Sequence, residues 1–587
     1  MSTSDSDRSL GARWRWLWPY VRRQLPALSV VLLLTLISSA LAIALPYLSK
    51  LIIDRGLLAR NFPLLVELCL TVVALAALSF LIGGFTRWLY VRASGRMLFA
   101  LRENVYAHLL SLPPSFFRKR PTGDLVTRLD GDVAEIQRFS TDTLLAFVNG
   151  VLLLAGAAII MVAMSWQLAL VAAAVLPLQL AVRRWARPLI AKRTRALREQ
   201  ASSVAQFLFE TLSNVKGIQG AVTEDHERQR LTGLNQTYLS RLLSVQIVSY
   251  VLGGISGLLS HMATASVFVY GGYRVIEGDV TVGTLVAFLA YLSRGTGSAV
   301  SLLNLYTAYQ RAVVSLDRVE ELLAQPAGTE NVPQPRRAGE IEGEGRGGAR
   351  GGAHRRLPDA SGGALSLHGV TLGRATCGAE LLSDCSLDIP RGSKVVIHGA
   401  SGVGKSTLVD ALRRFVPVDA GCILLDGADI REYDLPALRR SIEVLSSQPL
   451  IFRGTVLENL RYGNFDSPEE SVLEAARRAG VTDVVELLPE GFATLVGSGG
   501  HGLSTGQCQR IAVARAIVRR PSVIVLDEAL TNLDAESSQA LQDVIDEQFG
   551  HCTRIIVSHA PARVLRPDLI LEMREGRLLP SSAHAHA

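Results

Sequence analysis

Lys394-Val395-Val396-Ile397-His398-Gly399-Ala400-Ser401-Gly402-Val403-Gly404-Lys405-Ser406-Thr407 decides how the C-terminal part of the chain folds. A short β-branched run ends in three glycines spaced by small residues. A lysine and two hydroxyl residues then open a helix-forming stretch. This is a phosphate-binding loop in strand–loop–helix order. Glycines let successive backbone N–H groups converge on phosphate oxygens, and the helix start favours negative charge. Lys405 is placed to reach β- and γ-phosphates, and Ser406 to ligand Mg²⁺. Gly399, Ser401, Gly402, Gly404 and Thr407 complete the cradle.

Working outward, Val523-Ile524-Val525-Leu526-Asp527-Glu528 is an apolar strand ending in two carboxylates. Asp527 suits a second magnesium contact, and Glu528 suits the general base that polarises an attacking water. Short β-branched runs at 394–398, 523–526 and 554–558 alternate with helical stretches across residues 364–579, which predicts an α/β domain with parallel strands. Residues 326–363 are rich in Gly, Pro, Arg and Glu and hold few large apolar side chains, so they read as a flexible linker. Residues 580–587 read as a disordered tail, and His584 and His586 within it as incidental.

The N-terminal half is of another kind. Only 19% of the 587 residues are charged and 49% are hydrophobic. Residues 26–49 and 68–86 carry no charge, residues 143–182 carry none across a Ser165-Trp166-Gln167 turn signal, and residues 280–310 carry only Arg294. Uncharged runs of about 20 residues are what a bilayer span requires. Six spans are expected, near 26–48, 64–88, 143–164, 167–187, 247–273 and 280–310, within a membrane domain over residues 1–325.

Lys and Arg concentrate before the first span, between the second and third, and after the fourth, so these segments and both termini are expected on the cytoplasmic face of a multi-pass protein in the inner (cytoplasmic) membrane. This placement accounts for the net charge of +7 without nucleic acid as a partner. Membrane lipid and a transported substrate are the expected partners. The six cysteines form no CxxC pair, which suits a reducing compartment. Helix-prone polar stretches at 91–142 and 183–241 read as membrane helices extended into the cytosol, with breaks at Gly123 and at 214–220 suited to short transverse turns.

With Gln448, Leu503-Ser504-Thr505-Gly506-Gln507, Asp534 and His559 added in order, the C-terminal domain resembles the ABC ATPases. The six-span pattern before it resembles the exporter-type half-transporters for drugs, lipids and peptides. The resemblance runs from about residue 22 to 579. It implies ATP and Mg²⁺ as cofactors, Gln448 beside Ser406 and Asp527 at the metal, and His559 on the γ-phosphate. It implies that Ser504, Gly506, Gln507 and Asp534 act in trans, on nucleotide bound by a second copy. A homodimer exporting its cargo by alternating access follows. Residues 112–125 and 214–227 resemble the two intracellular loops that such proteins dock on the ATPase.

Two positions depart from the pattern. Arg374 stands where an aromatic residue stacks on adenine, and a guanidinium plane can also stack on a base. Ser498 replaces a carboxylate ahead of the signature. Within the spans, Arg294 and His261 are the polar candidates for the substrate pathway, with a backbone-bonded arginine and a helix–helix hydrogen bond as their structural readings. The resemblance leaves the cargo open among peptide, natural product, lipid and drug. Two alternatives differ in class, a siderophore-type importer on the same scaffold and a membrane-anchored ATP sensor that does not pump. Glu528 and His559 argue against the sensor, which needs no water-activating base.

Overall fold

The computed structural model describes residues 16–118, 120–326, 363–373, 380–497, 502–531, 533–558 and 566–581. The expected linker and tail lie almost wholly outside these residues. The chain divides into two compact units, one of Met1–Ala107 with Gly123–Ala324, the other of His108–Thr122 with Gln325–Ala587.

In the first unit six long helices are apolar enough to cross a membrane: α1 (Trp18–Leu57), α2 (Phe62–Ser111), α4 (Thr122–Met164), α5 (Trp166–Ser213), α7 (Glu224–Ile276) and α8 (Val282–Leu323). The short helix α6 (Val215–Ala221) follows α5, and α3 (Pro114–Arg118), which follows α2 in the chain, is counted in the second unit. A helix of 50 residues, such as α2, is about 75 Å long at about 1.5 Å per residue, more than twice a hydrocarbon core of about 30 Å. The polar residues 91–111 therefore continue α2 beyond the membrane, and the breaks in the polar stretches fall at 112–121 and at 214–223, with Gly123 inside a helix instead of at a break.

Local chemistry sets the helix ends. Ser165 leaves the helical conformation and its hydroxyl accepts the N–H of Leu168, starting α5. Thr281 does the same for Thr284 at the start of α8. Asp54 adds a long-range cap there, accepting the Thr281 hydroxyl at 2.6 Å and the Gly283 N–H at 2.9 Å. Only glycine fits at 283, because a Cβ would sit 2.6 Å from the Lys50 carbonyl oxygen.

α4 and α8 are tied along their polar ends by a ladder. Arg128 pairs with Glu321 at 2.9 Å, Ser315 donates to Asp132 at 2.8 Å, and Arg311 pairs with Glu135 at 2.9 Å.

In the second unit, β1 (Leu365–Leu372), β2 (Leu382–Ile389), β4 (Ala420–Leu425) and β5 (Ala428–Asp429) form an antiparallel sheet in the order β2-β1-β4-β5. A six-stranded sheet has the order β12-β11-β3-β10-β9-β6, where β3 is Lys394–His398, β6 Ile442–Ser446, β9 Val523–Asp527, β10 Thr553–Ser558, β11 Leu569–Arg574 and β12 Arg577–Pro580. All its pairings are parallel except β11 with β12. A parallel sheet covered on both faces needs apolar residues at every position, and the first four residues of β3 and of β9 are all buried.

Alternate residues feed two cores. Val395, Ile397, Val525 and Val557 pack with the antiparallel sheet and α9 (Lys405–Leu412). Val396, Ile524, Leu526 and Ile556 face the helices of the other side. Those helices are α11 (Val456–Arg461), α12 (Glu469–Arg478), α13 (Val481–Glu486), α14 (Thr505–Arg519) and α15 (Ala535–Phe549), while α10 (Leu435–Ser441) sends Leu438 into the first core. The fold class is the one expected, six apolar helices and then an α/β ATPase domain.

Candidate nucleotide site

Strand β3 ends at His398, and the chain turns through the glycine loop into α9. Gly404 caps the helix at φ 112°, and Gly402 sits at φ 81° with open space where a Cβ would point. These are conformations that L side chains avoid. At Gly399 a Cβ would meet the Met573 carbonyl oxygen at 2.4 Å. Ser401, Gly402 and Ser406 are exposed at the mouth of the loop.

Lys405 is buried, and its Nζ donates to the carbonyls of Gly399 and Ala400 at 2.7 and 2.9 Å. Burial pulls its ammonium below the usual lysine range, against the opposing charges of Glu528 and Asp527. The loop is thus closed around its own cation, facing the two carboxylates.

Asp527 ends β9. Burial pushes its carboxyl above the usual range, and Ser406 hydrogen-bonds it. Its Oδ1 is buried without a hydrogen-bond partner among the described residues. An orphaned carboxylate oxygen beside a hydroxyl is a poor arrangement for a bare protein and a good one for a hard cation. The residues present therefore fit Mg²⁺ and a triphosphate. Glu528, the next residue, is held at φ 55°, a strained conformation costing about 1–3 kcal/mol. Its N–H donates to the Val557 carbonyl at 3.0 Å and its carbonyl accepts the Thr531 hydroxyl, which together hold the turn.

Gln448 is exposed just beyond β6. Two residues not anticipated from sequence bracket it. Gln509 of α14 donates to the Ser446 carbonyl at 2.7 Å, and Arg515 of the same helix donates to the Leu450 carbonyl at 2.5 Å and the Asn459 carbonyl at 2.6 Å. Burial brings the Arg515 guanidinium down to about 10. The helix carrying the signature therefore holds the segment carrying Gln448 by its backbone on both sides. The only sequence signal for this was a polar pair, Gln509 and Arg515, on a helix otherwise rich in alanine and valine.

Ser504 forms a capping box with Gln507. The Ser504 hydroxyl accepts the Gln507 N–H, and the Gln507 side chain accepts the Ser504 N–H at 2.8 Å. The serine oxygen thus serves its own helix while its proton stays available for donation. Ser504, Gly506, Gln507, Arg510 and Ser537 line a cavity of about 240 Å³ that no phosphate-loop residue lines. Asp534 caps α15 through the Ser537 N–H at 2.8 Å, a bond that also holds its carboxyl low. His559, Arg374 and Ser498 lie outside the described residues.

Of the two polar residues of the spans, Arg294 makes the backbone bond that is its structural reading. Arg294 donates to the Ala42 carbonyl of α1 at 2.6 Å, and Tyr291 donates to the Ile43 carbonyl at 2.6 Å. The cause is Pro46, which lies inside α1. Proline lacks the N–H that would bond the carbonyl four residues back, so Ala42 needs a donor from outside its helix. His261 is exposed on α7 and makes none of the expected helix–helix hydrogen bond among the described residues.

The family comparisons agree with this architecture. Residues 28–298 match the family described as the ABC transporter transmembrane region, and residues 382–531 match that described as ABC transporter. The chain is 29% identical over 570 residues to an ATP-dependent lipid A-core flippase of Syntrophus aciditrophicus, covering 96% of this chain and 90% of that one. It is 28% identical over 500 residues to a putative multidrug export ATP-binding/permease protein of Bacillus subtilis, covering 85% and 82%. A solved structure of a bacterial Atm1-family ABC exporter with ATP bound shares the fold at a TM-score of 0.74, with 23% identity over 95% of this chain and 94% of that chain. These relatives favour export over the importer reading. A transmembrane region of six apolar helices joined to a phosphate-loop ATPase on one polypeptide makes this chain a member of the ABC transporters, an exporter-type half-transporter that spans the membrane and binds ATP.

Proposed function

We propose that two copies of this chain form a symmetric exporter in the cytoplasmic membrane, with the ATPase domains in the cytosol, and move an amphipathic cargo outward by alternating access. One observation carries the reading. The loop cation, Asp527 and Glu528 act on one another at the end of the parallel sheet, while the Ser504 helix start opens onto a separate cavity. Each chain offers half of two sites, and two copies face to face complete both. The membrane-spanning part of α2, whose most apolar stretch buries none of its residues, leaves room for a partner.

In this reading Lys405 and the loop N–H groups, with Ser401 and Thr407, hold the triphosphate, and Arg374 stacks on its base. Ser406, Asp527 and Gln448 would hold Mg²⁺, which would supply charge neutralisation to the triphosphate. Glu528 accepts the proton of the attacking water, and His559 steadies the γ-phosphate. Ser504, Gly506, Gln507 and Asp534 act across the dimer, the serine through the proton its cap leaves available. Closure of two ATPase domains on ATP and their release after hydrolysis would turn the membrane cavity outward, through residues 112–125 and 214–227. Arg294 serves the pathway through the helix it holds, and His261 borders it. A peptide, natural product, lipid or drug fits this scheme.

The test is Glu528→Gln in reconstituted vesicles. ATP hydrolysis should fall at least about 100-fold, cargo movement should stop, and ATP binding should persist. Hydrolysis at the wild-type rate would remove the basis of the proposal.

A further inference from the structure

The first unit holds two large cavities of contrasting chemistry. One, of about 490 Å³, is walled by carbon from Trp18, Phe139, Phe147, Leu305 and Tyr309. The other, of about 470 Å³, lies among α1, α2 and α4 and is the polar exception in an apolar domain. Arg87 from α2 and Asp142 from α4 both stand on its wall and both are exposed to it. They carry opposite charges and attract one another across the cavity, but form no direct ion pair among the described residues. Arg87 lies over the Tyr90 ring at 5.5 Å, and Asp142 accepts only the hydroxyl of its neighbour Thr141 at 2.8 Å. Further along the wall, Asn149 accepts the Ser39 hydroxyl at 2.5 Å. Val31, Leu145 and Leu153 supply hydrocarbon between these groups.

Two opposite charges at the ends of facing spans, near each other but not in direct contact, leave hydrogen-bonding capacity on both for a ligand that answers both. An apolar molecule entering there strips water from both charges and replaces none of its bonds. An anion alone meets the like charge of Asp142, and a cation alone that of Arg87, which penalises each. A zwitterion satisfies the two together through charge-assisted hydrogen bonds.

We infer that this cavity binds the zwitterionic head of an amphipathic cargo, its anionic group on Arg87, its ammonium on Asp142 and its alkyl chain along Val31, Leu145 and Leu153. The inference rests on the exporter reading and narrows its cargo to molecules carrying an ammonium beside a carboxylate or phosphate. A phosphoethanolamine lipid and an amino-acid-headed amphiphile share that chemistry.

The experiment titrates the full-length protein, in nanodiscs of phosphatidylglycerol, with lysophosphatidylethanolamine, 2-aminotetradecanoic acid, tetradecanoic acid and tetradecylamine, following tryptophan fluorescence. A zwitterion should bind at least about tenfold tighter than the plain acid or amine, the effect of one charge-assisted bond. Arg87→Gln and Asp142→Asn should each erase that preference. The charge-exchanged double variant, Arg87→Asp with Asp142→Arg, should restore it, which separates loss of binding from loss of folding. Preference for lysophosphatidylethanolamine alone assigns a lipid head, and preference for the amino acid alone assigns an amino-acid head. The inference is overturned if the plain acid binds as tightly as both zwitterions, or if either single variant keeps the preference. ATP-dependent uptake of the same probes into inside-out vesicles keeps the two proposals apart. Tight binding without uptake would sink export and leave the cavity assignment standing. Uptake without the preference would do the reverse.

Discussion

At the scale of single residues, the nucleotide site is stable only at a cost to the bare protein. Asp527 binds its proton more tightly in the fold than in the unfolded chain, because burial penalises the charged form. Above the raised value the carboxylate is ionised and that penalty is fully present. It shrinks as pH falls through the raised value and is gone below 3.8, where both states are protonated. Asp527→Asn should therefore raise the melting temperature of the ligand-free protein at pH 7, and the gain should shrink as the pH is lowered. With Mg²⁺ and ATP present the order should invert, since only the wild type gains the stabilisation of a bound ligand. A ligand-free Asn variant that melts below wild type would contradict this account of the site. The same residue shows what sequence reveals. The strand end with two carboxylates was readable from six consecutive letters. The positive φ of Glu528 and the unbonded Oδ1 of Asp527 were not, because both depend on what the strand end meets in the folded sheet.

At the scale of elements, the six membrane helices were legible because an uncharged run long enough to span a bilayer has few other uses. The phosphate loop and the capped signature helix were legible because their chemistry is local, with each cap and glycine acting within a few residues. Contacts between elements were not legible. Arg294 and Ala42 are 252 residues apart, and nothing in either neighbourhood names the other. Pro46 explains the pairing only once α8 is seen beside α1. The kink and its donor should be energetically coupled. Arg294→Met leaves the half-buried Ala42 carbonyl without its donor, at a cost of about 1 kcal/mol. Pro46→Ala returns the missing N–H to α1, so in that background the same Arg294→Met change should cost much less. A double-mutant cycle of thermal stability in nanodiscs measures the coupling, and strictly additive effects would show that the proline does not create the need for the arginine. The bracket of Gln509 and Arg515 around Gln448 was equally hidden, since it joins the side chains of one helix to the backbone of a distant loop.

At the scale of the whole molecule, the organisation reads as half of a machine. One chain carries a complete phosphate loop, the paired carboxylates of Asp527 and Glu528 and a capped signature helix, and the cavity at that helix is lined by none of the loop. The account requires the second half to come from another copy. Mixed dimers test this most directly. In a Glu528→Gln background, which should hold ATP without splitting it, one copy carries Lys405→Ala and the other Ser504→Arg, separated by two affinity tags. Trapping of labelled ATP is counted per dimer. The account predicts two ATP in the Glu528→Gln parent, none in either doubly altered homodimer, and about one in the mixed dimer, whose unaltered loop faces an unaltered signature. A mixed dimer that traps no ATP while the parent traps two would place both halves of the site in the same chain and contradict the central claim.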